Sequence, residues 1–256
     1  MNVVVNIVVT EFVFLTTVLI PRQAKYDSDQ MFPVLGFGAD KLGVVSHCFQ
    51  CGSSAEVHGV DGILQAYHET IRKPGLTLSG PTVMTEVIKA VAARSKNLQQ
   101  AAMAAGKQTY GILLILSDGA VTDVRQTANI IGQSSDAPFS IVIVGVGNAD
   151  FSAMQFLDDH SHPPGGRDIA QFIPFNQHCQ SSVDLTSETL HEIPAQLVSY
   201  FQRNGISPLA PINRSDDDII VAVEDEDIDL TLNFGDDGDI VVASGGVSST
   251  PDYFVG

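Results

Sequence analysis

Residues 110–147 read YGILLILSDGAVTDVRQTANIIGQSSDAPFSIVIVGVG, two apolar runs separated by a segment with helical spacing. The runs ILLIL and IVIVGV lack polar alternation, which is typical of strands in a parallel sheet covered by helices on both faces. The first run ends in Ser117, Asp118 and Gly119. In open parallel sheets the crevice outside the carboxyl ends of the strands usually binds the ligand, and an aspartate followed by glycine there suits a divalent cation. This stretch therefore predicts both a fold class and a site.

The same alternation of strand and helix extends in both directions from this unit. Apolar runs predict strands over Met31–Ala39, Gly111–Gly119, Phe139–Val146 and Ile169–Pro174. Helical spacing predicts helices over Val60–Lys73, Val83 to about Ala105, Asp123–Ser134, Asp150–Leu157 and Leu185–Asn204. The segment PGLTLSGPT, residues 74–82, is predicted to be a loop. We therefore expect an α/β fold with a doubly wound, mostly parallel sheet and helices on both faces.

The amino terminus is apolar from Val3 to Ile20, with five polar interruptions that include Asn6 and Glu11. Eighteen residues are a borderline length for a membrane span, which needs about 20. No Lys or Arg precedes the run, and the β-branched stretch VVVNIVVT favours a buried strand. The strand is the favoured interpretation, and an amino-terminal membrane anchor is the alternative.

The charge balance excludes some partners. The chain of 256 residues has 13 Lys+Arg against 30 Asp+Glu, a net charge of −17, which opposes binding to nucleic acid and to anionic membranes. Residues 205–256 hold twelve of the acids and one base, and we interpret this acidic tail as a solvated appendage with one small hairpin in DDDIIVAVEDEDIDLTL. Three cysteines are an odd and sparse set, which predicts a reducing, cytoplasmic location.

Seven runs of the sequence, taken together, resemble the copine family. These runs are YDSDQMFPVLGFGA, VDGILQAYHETI, SGPT, YGILLILSDGAVTD, SIVIVGVGNADFSAMQFLD, RDIAQFIPF and IPAQLVSYF. The resemblance covers roughly residues 25–208. It divides the chain into an apolar amino-terminal segment that is not the family's (1–24), a copine domain similar to von Willebrand factor A domains (25–208) and the acidic tail (209–256).

The resemblance implies a metal-ion-dependent adhesion site built from three loops. Thr82 in SGPT matches the family's threonine, Asp118 in LSDG matches its last aspartate, and Ser117 is a candidate supporting residue. The first loop, of the type Asp-x-Ser-x-Ser, has no counterpart between Met1 and Lys25. The site is therefore expected to be incomplete and to hold Mg²⁺ or Ca²⁺ weakly, because a hard cation takes about six oxygen ligands. The family's first strand is likewise expected to be absent or replaced by VVVNIVVT.

Structural alternatives stand beside each of these site residues. Asp118 also suits a turn before Gly119, and Thr82 also suits the N-cap of a helix that starts at Val83. The Cys48-x-x-Cys51 pair lacks the further ligands that zinc requires, and accidental spacing in a loop is favoured. The loop DDHSHPPGG, with Asp158, Asp159, His160 and His162, is interpreted as a solvated turn.

The function expected from these observations is not catalytic. The sequence has no G-x-S-x-G, P-loop or G-x-G-x-x-G motif. We expect a protein-interaction module, cytoplasmic or peripheral at the plasma membrane, whose partner binds at the carboxyl-edge crevice. The alternative is a membrane-associated protein, either through calcium-dependent phospholipid binding inherited from the family or through the amino-terminal anchor. The resemblance implies two lipid-binding modules ahead of the A domain, and we expect a chain of this length to lack room for them.

Overall fold

A computed structural model describes residues 2–8, 29–41, 43–119, 121–162, 164–178, 182–210, 233–234 and 240–241. The chain divides into two units, Met1–Asn213 and Arg214–Gly256. In the second unit the described residues form one antiparallel strand pair, Asn233–Phe234 with Ile240–Val241. The hairpin predicted in DDDIIVAVEDEDIDLTL, residues 216–232, lies outside the described residues.

The first unit contains short strands, longer strands and helices that alternate along the chain. The strands are β1 Asn2–Val8, β2 Met31–Phe32, β3 Val34–Gly36, β4 Ala39–Lys41, β5 Val44–Ser46, β6 Phe49–Gln50, β7 Val57–His58, β8 Leu76–Leu78, β9 Thr109–Ser117, β10 Phe139–Gly145 and β11 Ala170–Pro174. The helices are α1 Gly59–Ile71, α2 Thr85–Ala104, α3 Val124–Gln133, α4 Ser152–His160, α5 Phe175–His178, α6 Ser182–Leu190 and α7 Ile193–Arg203.

The main sheet has the order β11-β10-β9-β1-β3-β6. Every neighbouring pair in it is parallel except β3 with β6, which is antiparallel. Two small antiparallel sheets are separate from it. One pairs β2 with β7, and the other has β4 between β5 and β8. The expected doubly wound, mostly parallel α/β fold is confirmed.

The amino-terminal strand takes the central position of this sheet. β1 pairs with β9 from Asn2 opposite Thr109 to Val8 opposite Ile115, and on its other side Ile7 lies opposite Val34. The apolar amino terminus therefore supplies a central strand of the sheet, which confirms the interpretation of VVVNIVVT as a strand. Residues 9–28, which include the rest of the proposed membrane span, lie outside the described residues. Among the described helices, none has the length and apolar character needed to cross a bilayer.

The core lies on both faces of the sheet because the long strands are buried throughout. On one face Leu113 and Ile115 of β9 join a cluster that includes residues of α2, α3 and α4. On the other face Tyr110 packs against Tyr200 and Phe201 of α7. Alternate residues of one strand thus contact different helices, which explains why its sequence lacks polar alternation.

Three predicted elements differ from the structure. The strand predicted over Met31–Ala39 is three short strands, because Pro33 provides no backbone N–H for a ladder and Gly38 has a φ of +70°. Residues 76–78 of the predicted loop form β8. The predicted last helix is two helices, α6 and α7, and Pro194 lies in the first turn of the second, a position that suits a residue without an N–H.

Candidate functional site

The carboxyl ends of three neighbouring parallel strands meet at one edge of the sheet. β9 ends at Ser117, and β10 ends at Gly145, which lies opposite Ser117 in the ladder. β1 ends at Val8, opposite Ile115, so that the chain also leaves β1 at this edge. Doubly wound sheets usually bind ligands at this edge, outside the carboxyl ends of their strands, and we call the region here the crevice.

The loop after β9 is fastened to the loop after β10 through Ser117. Ser117 is fully buried, and its carbonyl oxygen accepts a hydrogen bond from the N–H of Val146 (N···O 2.9 Å). Its hydroxyl accepts a longer one from the N–H of Gly119 (3.4 Å). Ser117 therefore supports the turn, and its burial keeps its hydroxyl away from the open crevice.

Gly119 allows this turn to pack closely on the loop after β10. Its φ is +102°, a conformation that L side chains rarely adopt. A Cβ placed there would lie 2.9 Å from the Cβ of Ala149 and 3.1 Å from the ring of Phe151. Between two buried neighbours, Ser117 and Gly119, Asp118 is exposed. The turn thus presents a single carboxylate at the carboxyl end of a central strand.

Thr82 lies in a second loop at the same edge. Its carbonyl oxygen accepts a hydrogen bond from the N–H of Thr122, four residues after Asp118 (N···O 3.0 Å). The structure therefore brings the two loops that carry Thr82 and Asp118 together. α2 begins at Thr85 after an N-cap at Met84, so the interpretation of Thr82 as a helix N-cap is wrong.

Two other acidic residues of these loops accept hydrogen bonds from backbone N–H groups at helix starts. Asp123, with a φ of +58°, is the N-cap of α3, and its Oδ1 accepts from the N–H of Gln126 (3.2 Å). Asp150 Oδ1 accepts from the N–H of Ser152 (2.9 Å), and this hydrogen bond lowers the pKa of Asp150. Both carboxylates contribute to local structure, and Asp123 in particular supplies a capping interaction that the sequence analysis did not identify.

The donors described at this edge fit only part of a divalent-cation shell. Asp118 provides an exposed carboxylate and Thr82 a partly buried hydroxyl, whereas Mg²⁺ or Ca²⁺ takes about six oxygens. Within the described ranges, no group of three or more His, Cys, Asp or Glu side chains could hold a metal ion. The segment that follows β1 at this edge falls in residues 9–28, outside the described residues.

The cysteine pair does not form a metal site in the described part of the chain. Cys48 and Cys51 flank β6, and neither forms a disulfide; Cys51 is buried. Burial, together with the charge of Glu86, raises the pKa of the Cys48 thiol. A raised pKa disfavours the thiolate that metal binding or nucleophilic chemistry requires.

The family model of the copines matches residues 13–209. This chain belongs to the copine family. It is 41% identical to Copine-B of Dictyostelium discoideum over 196 residues, 43% identical to Copine-E of the same organism over 194, and 36% identical to Protein BONZAI 1 of Arabidopsis thaliana over 198. These matches cover 72–73% of this chain but 32–36% of the relatives, so the chain spans about a third of their length. The manganese-loaded TRAP protein of Plasmodium vivax aligns with 69% of this chain and 70% of its own, at a TM-score of 0.42 and 12% identity.

One polar residue of this copine domain escaped the sequence analysis. Arg167 is 4% exposed and lies 5.2 Å from the ring centre of Tyr200 and 5.9 Å from that of Tyr110. Its guanidinium donates to the carbonyls of Ala137, Phe139 and Gln196 at 3.2–3.4 Å. Burial lowers the pKa of Arg167, yet arginine stays protonated in proteins. The sequence signal for a buried arginine was its place at the start of the apolar run RDIAQFIPF. Its partners could not be identified from sequence, because they lie 28–57 residues away.

Proposed function

We propose that this copine domain is a non-catalytic protein-interaction module whose partner binds at the carboxyl-edge crevice. The observation that carries the proposal is the exposed Asp118 on a turn whose neighbours, Ser117 and Gly119, are buried. A turn fixed by hydrogen bonds and close packing presents this carboxylate with little freedom to move. Rigid presentation of one charged group at a strand end favours specific recognition.

A divalent cation, Mg²⁺ or Ca²⁺, would be held by Asp118 and Thr82 and would accept a carboxylate of the partner into its open coordination positions. The incomplete donor set supports a shared shell, because the described residues at this edge supply too few oxygens to saturate the ion. The net charge of −17 also supports a bridging cation, because it opposes binding of an acidic partner unless a cation lies between the two proteins.

Calorimetric titration of Mg²⁺ and of Ca²⁺ into the purified chain tests the cation directly. We expect weak, saturable binding that is lost in Asp118→Ala and reduced in Thr82→Ala. Asp159→Ala is the matched control, because Asp159 is an exposed aspartate on α4 and its loss changes the net charge equally. Equal binding by Asp118→Ala and the wild type would show that the ion does not use this crevice.

Capture of partners from cell extract, with and without chelator, distinguishes binding through a bridging cation from direct binding to Asp118. If the ion bridges, chelator and Asp118→Ala remove the same proteins. If Asp118 contacts the partner directly, Asp118→Ala removes proteins that chelator leaves. Partners that survive both treatments would refute binding at this crevice.

The location proposed for the domain is cytoplasmic or peripheral at the plasma membrane, and membrane binding is the competing function. Flotation with liposomes of phosphatidylserine and phosphatidylcholine, with and without Ca²⁺, distinguishes the two. We expect the chain to stay in the soluble fraction under both conditions, because its charge repels anionic lipid. Ca²⁺-dependent flotation would favour the membrane function instead.

A further inference from the structure

A second concave surface lies between α3 and α4, apart from the residues of the crevice. The groove has a volume of about 590 Å³, within the ~300–1,000 Å³ typical of small-molecule sites. The loop DDHSHPPGG, interpreted from the sequence as a solvated turn, supplies His160, Ser161 and His162 to the groove, and the structure extends α4 through His160. The polar lining residues are Arg125, Asn129, Gln133, His160, Ser161 and His162.

The groove is free of acidic side chains, although the chain has 30 acids and 13 bases. Three other clefts in the described part of the chain all contain acids, Asp29 with Glu56 in one, Asp61 with Glu69 in another, and Glu69 again in a third. A surface lined by one arginine and two histidines in so acidic a chain favours an anion.

Ser161, which follows α4 and lines the groove, carries an unsatisfied hydroxyl. The residue is 3% exposed, and its Oγ has no hydrogen-bond partner among the described residues. A buried hydroxyl without a partner is unfavourable, and such groups in native structures usually bind a ligand or an ordered water. The Oγ is closed to solvent as the side chain stands, so it would reach a ligand in the groove after rotation about χ1.

The remaining surface of the groove is apolar. The ring of Phe156 stacks on His160 at a centroid distance of 4.5 Å and an interplanar angle of 6°. Ala128 and Gly132, one helical turn apart on α3, provide a floor without bulky side chains. The stack holds the His160 imidazole in place beside a surface that suits a planar or aliphatic group.

We propose that the groove binds a small organic phosphate, with the phosphate among the donors and the organic body on Phe156 and the Ala128–Gly132 floor. The donors are a guanidinium, two imidazoles, two amides and a hydroxyl, more than the two oxygens of a carboxylate accept well. The three terminal oxygens of a phosphate monoester match this number better. This site is separate from the protein-interaction crevice, and neither proposal depends on the other.

Phenyl phosphate, inorganic phosphate and benzoate are the probes, titrated into the full chain and followed by amide chemical shifts in NMR spectra. We expect saturable shifts with phenyl phosphate on α3 and α4, weaker binding of inorganic phosphate because it lacks an organic body, and weaker binding of benzoate because it has two oxygens. The shifts identify the site, so binding at the crevice would be seen as shifts near Asp118 and would overturn the proposal.

Two variants and one control make the test specific. Arg125→Gln should weaken phenyl phosphate binding about tenfold, because a charge-assisted hydrogen bond is lost. Arg72→Gln, an equal change at an exposed arginine beyond the end of α1, should leave the affinity unchanged. Ser161→Ala should weaken binding without lowering the unfolding temperature, since it removes a hydroxyl that has no protein partner. No saturable binding of phenyl phosphate, or equal affinity in Arg125→Gln and Arg72→Gln, would refute the site.

Discussion

The two ends of strand β9 contrast sharply. At the amino end, Tyr110 is fully buried, its hydroxyl bonds to Ser140 (2.9 Å), and Arg167 packs over its ring. At the carboxyl end, Asp118 is exposed on a turn that glycine makes possible. The amino end is closed by polar and aromatic side chains from distant segments, whereas the carboxyl end is a tight turn packed on the loop after β10 and leaves one carboxylate exposed.

This difference indicates a division of roles along one strand. A buried guanidinium bonded to three carbonyls joins α7 to the start of β10, and it has no access to a ligand. The exposed carboxylate makes little contribution to burial but lies where ligands bind. We infer that the amino end serves stability and the carboxyl end serves recognition, and variants at each end should separate the two properties.

The largest effect is expected at the amino end, in Arg167→Ala. Loss of the guanidinium leaves buried carbonyls with one partner fewer and opens a space between Tyr110 and Tyr200, which should lower the free energy of unfolding by about 3 kcal/mol. Urea denaturation measures it. Arg72→Ala, at an exposed arginine, is the control and should change stability by less than about 0.5 kcal/mol. Equal stability of the two variants would contradict a structural role for Arg167.

Gly119→Ala should have the next largest effect, because it changes the backbone of the carboxyl-end turn. Strain at a φ of +102° and contact with Ala149 and Phe151 should together destabilise the domain by about 2 kcal/mol. Gly147→Ala isolates the contact term, since Gly147 has a similar φ of +91° and nothing within 4 Å of the added Cβ. If both variants lose the same stability in thermal unfolding, close packing of the two loops is not important.

A smaller, pH-dependent effect is expected from Asp158 at the end of α4. Burial, with Asp168 and Asp159 adding to it, raises the pKa of Asp158 to about 6, above the ~3.9 of an unfolded aspartate. The native state therefore binds more protons between these values, and stability falls as pH rises from about 4 to about 6. Solvent screening of this half-buried group limits the change to about 1 kcal/mol.

Asp158→Asn should flatten that slope and stabilise the domain at pH 7. The asparagine Oδ1 can still accept the hydrogen bond from the N–H of Phe172, which Asp158 accepts at 3.3 Å. Denaturation at pH 4, 5, 6 and 7 measures the slope, and Asp159→Asn, at an exposed neighbour, should largely retain it. A variant with the wild-type slope would show that another group titrates in this window.

The sequence predicted the parts of this fold that depend on local pattern. The apolar runs of β9 and β10, and the strand at the amino terminus, follow from residue type and pattern. The resemblance placed Thr82 and Asp118 in loops that the structure joins through the Thr122–Thr82 hydrogen bond. The exposed state of Asp118 beside buried Ser117 could not be predicted, because it depends on packing against the loop after β10.

The features that the sequence did not predict depend on contacts between residues far apart in the chain. The groove between α3 and α4 requires two helices that are separated by β10, and the orphaned hydroxyl of Ser161 is visible only once the chain has folded. The predicted start of α2 was two residues early, because Pro81 and three further residues precede Thr85, the first residue of the helix. Arg167 was missed because a single arginine in a sequence is normally assigned to the surface.

The central claim is tested most directly by measuring partner capture by Asp118→Ala beside the wild type, with thermal unfolding of both proteins recorded in the same buffer. The account predicts that the unfolding midpoints agree within about 2 °C, as for other exposed substitutions, while capture is lost. Undiminished capture by a fully folded Asp118→Ala protein would contradict it, and so would a loss of capture that only accompanies a loss of stability.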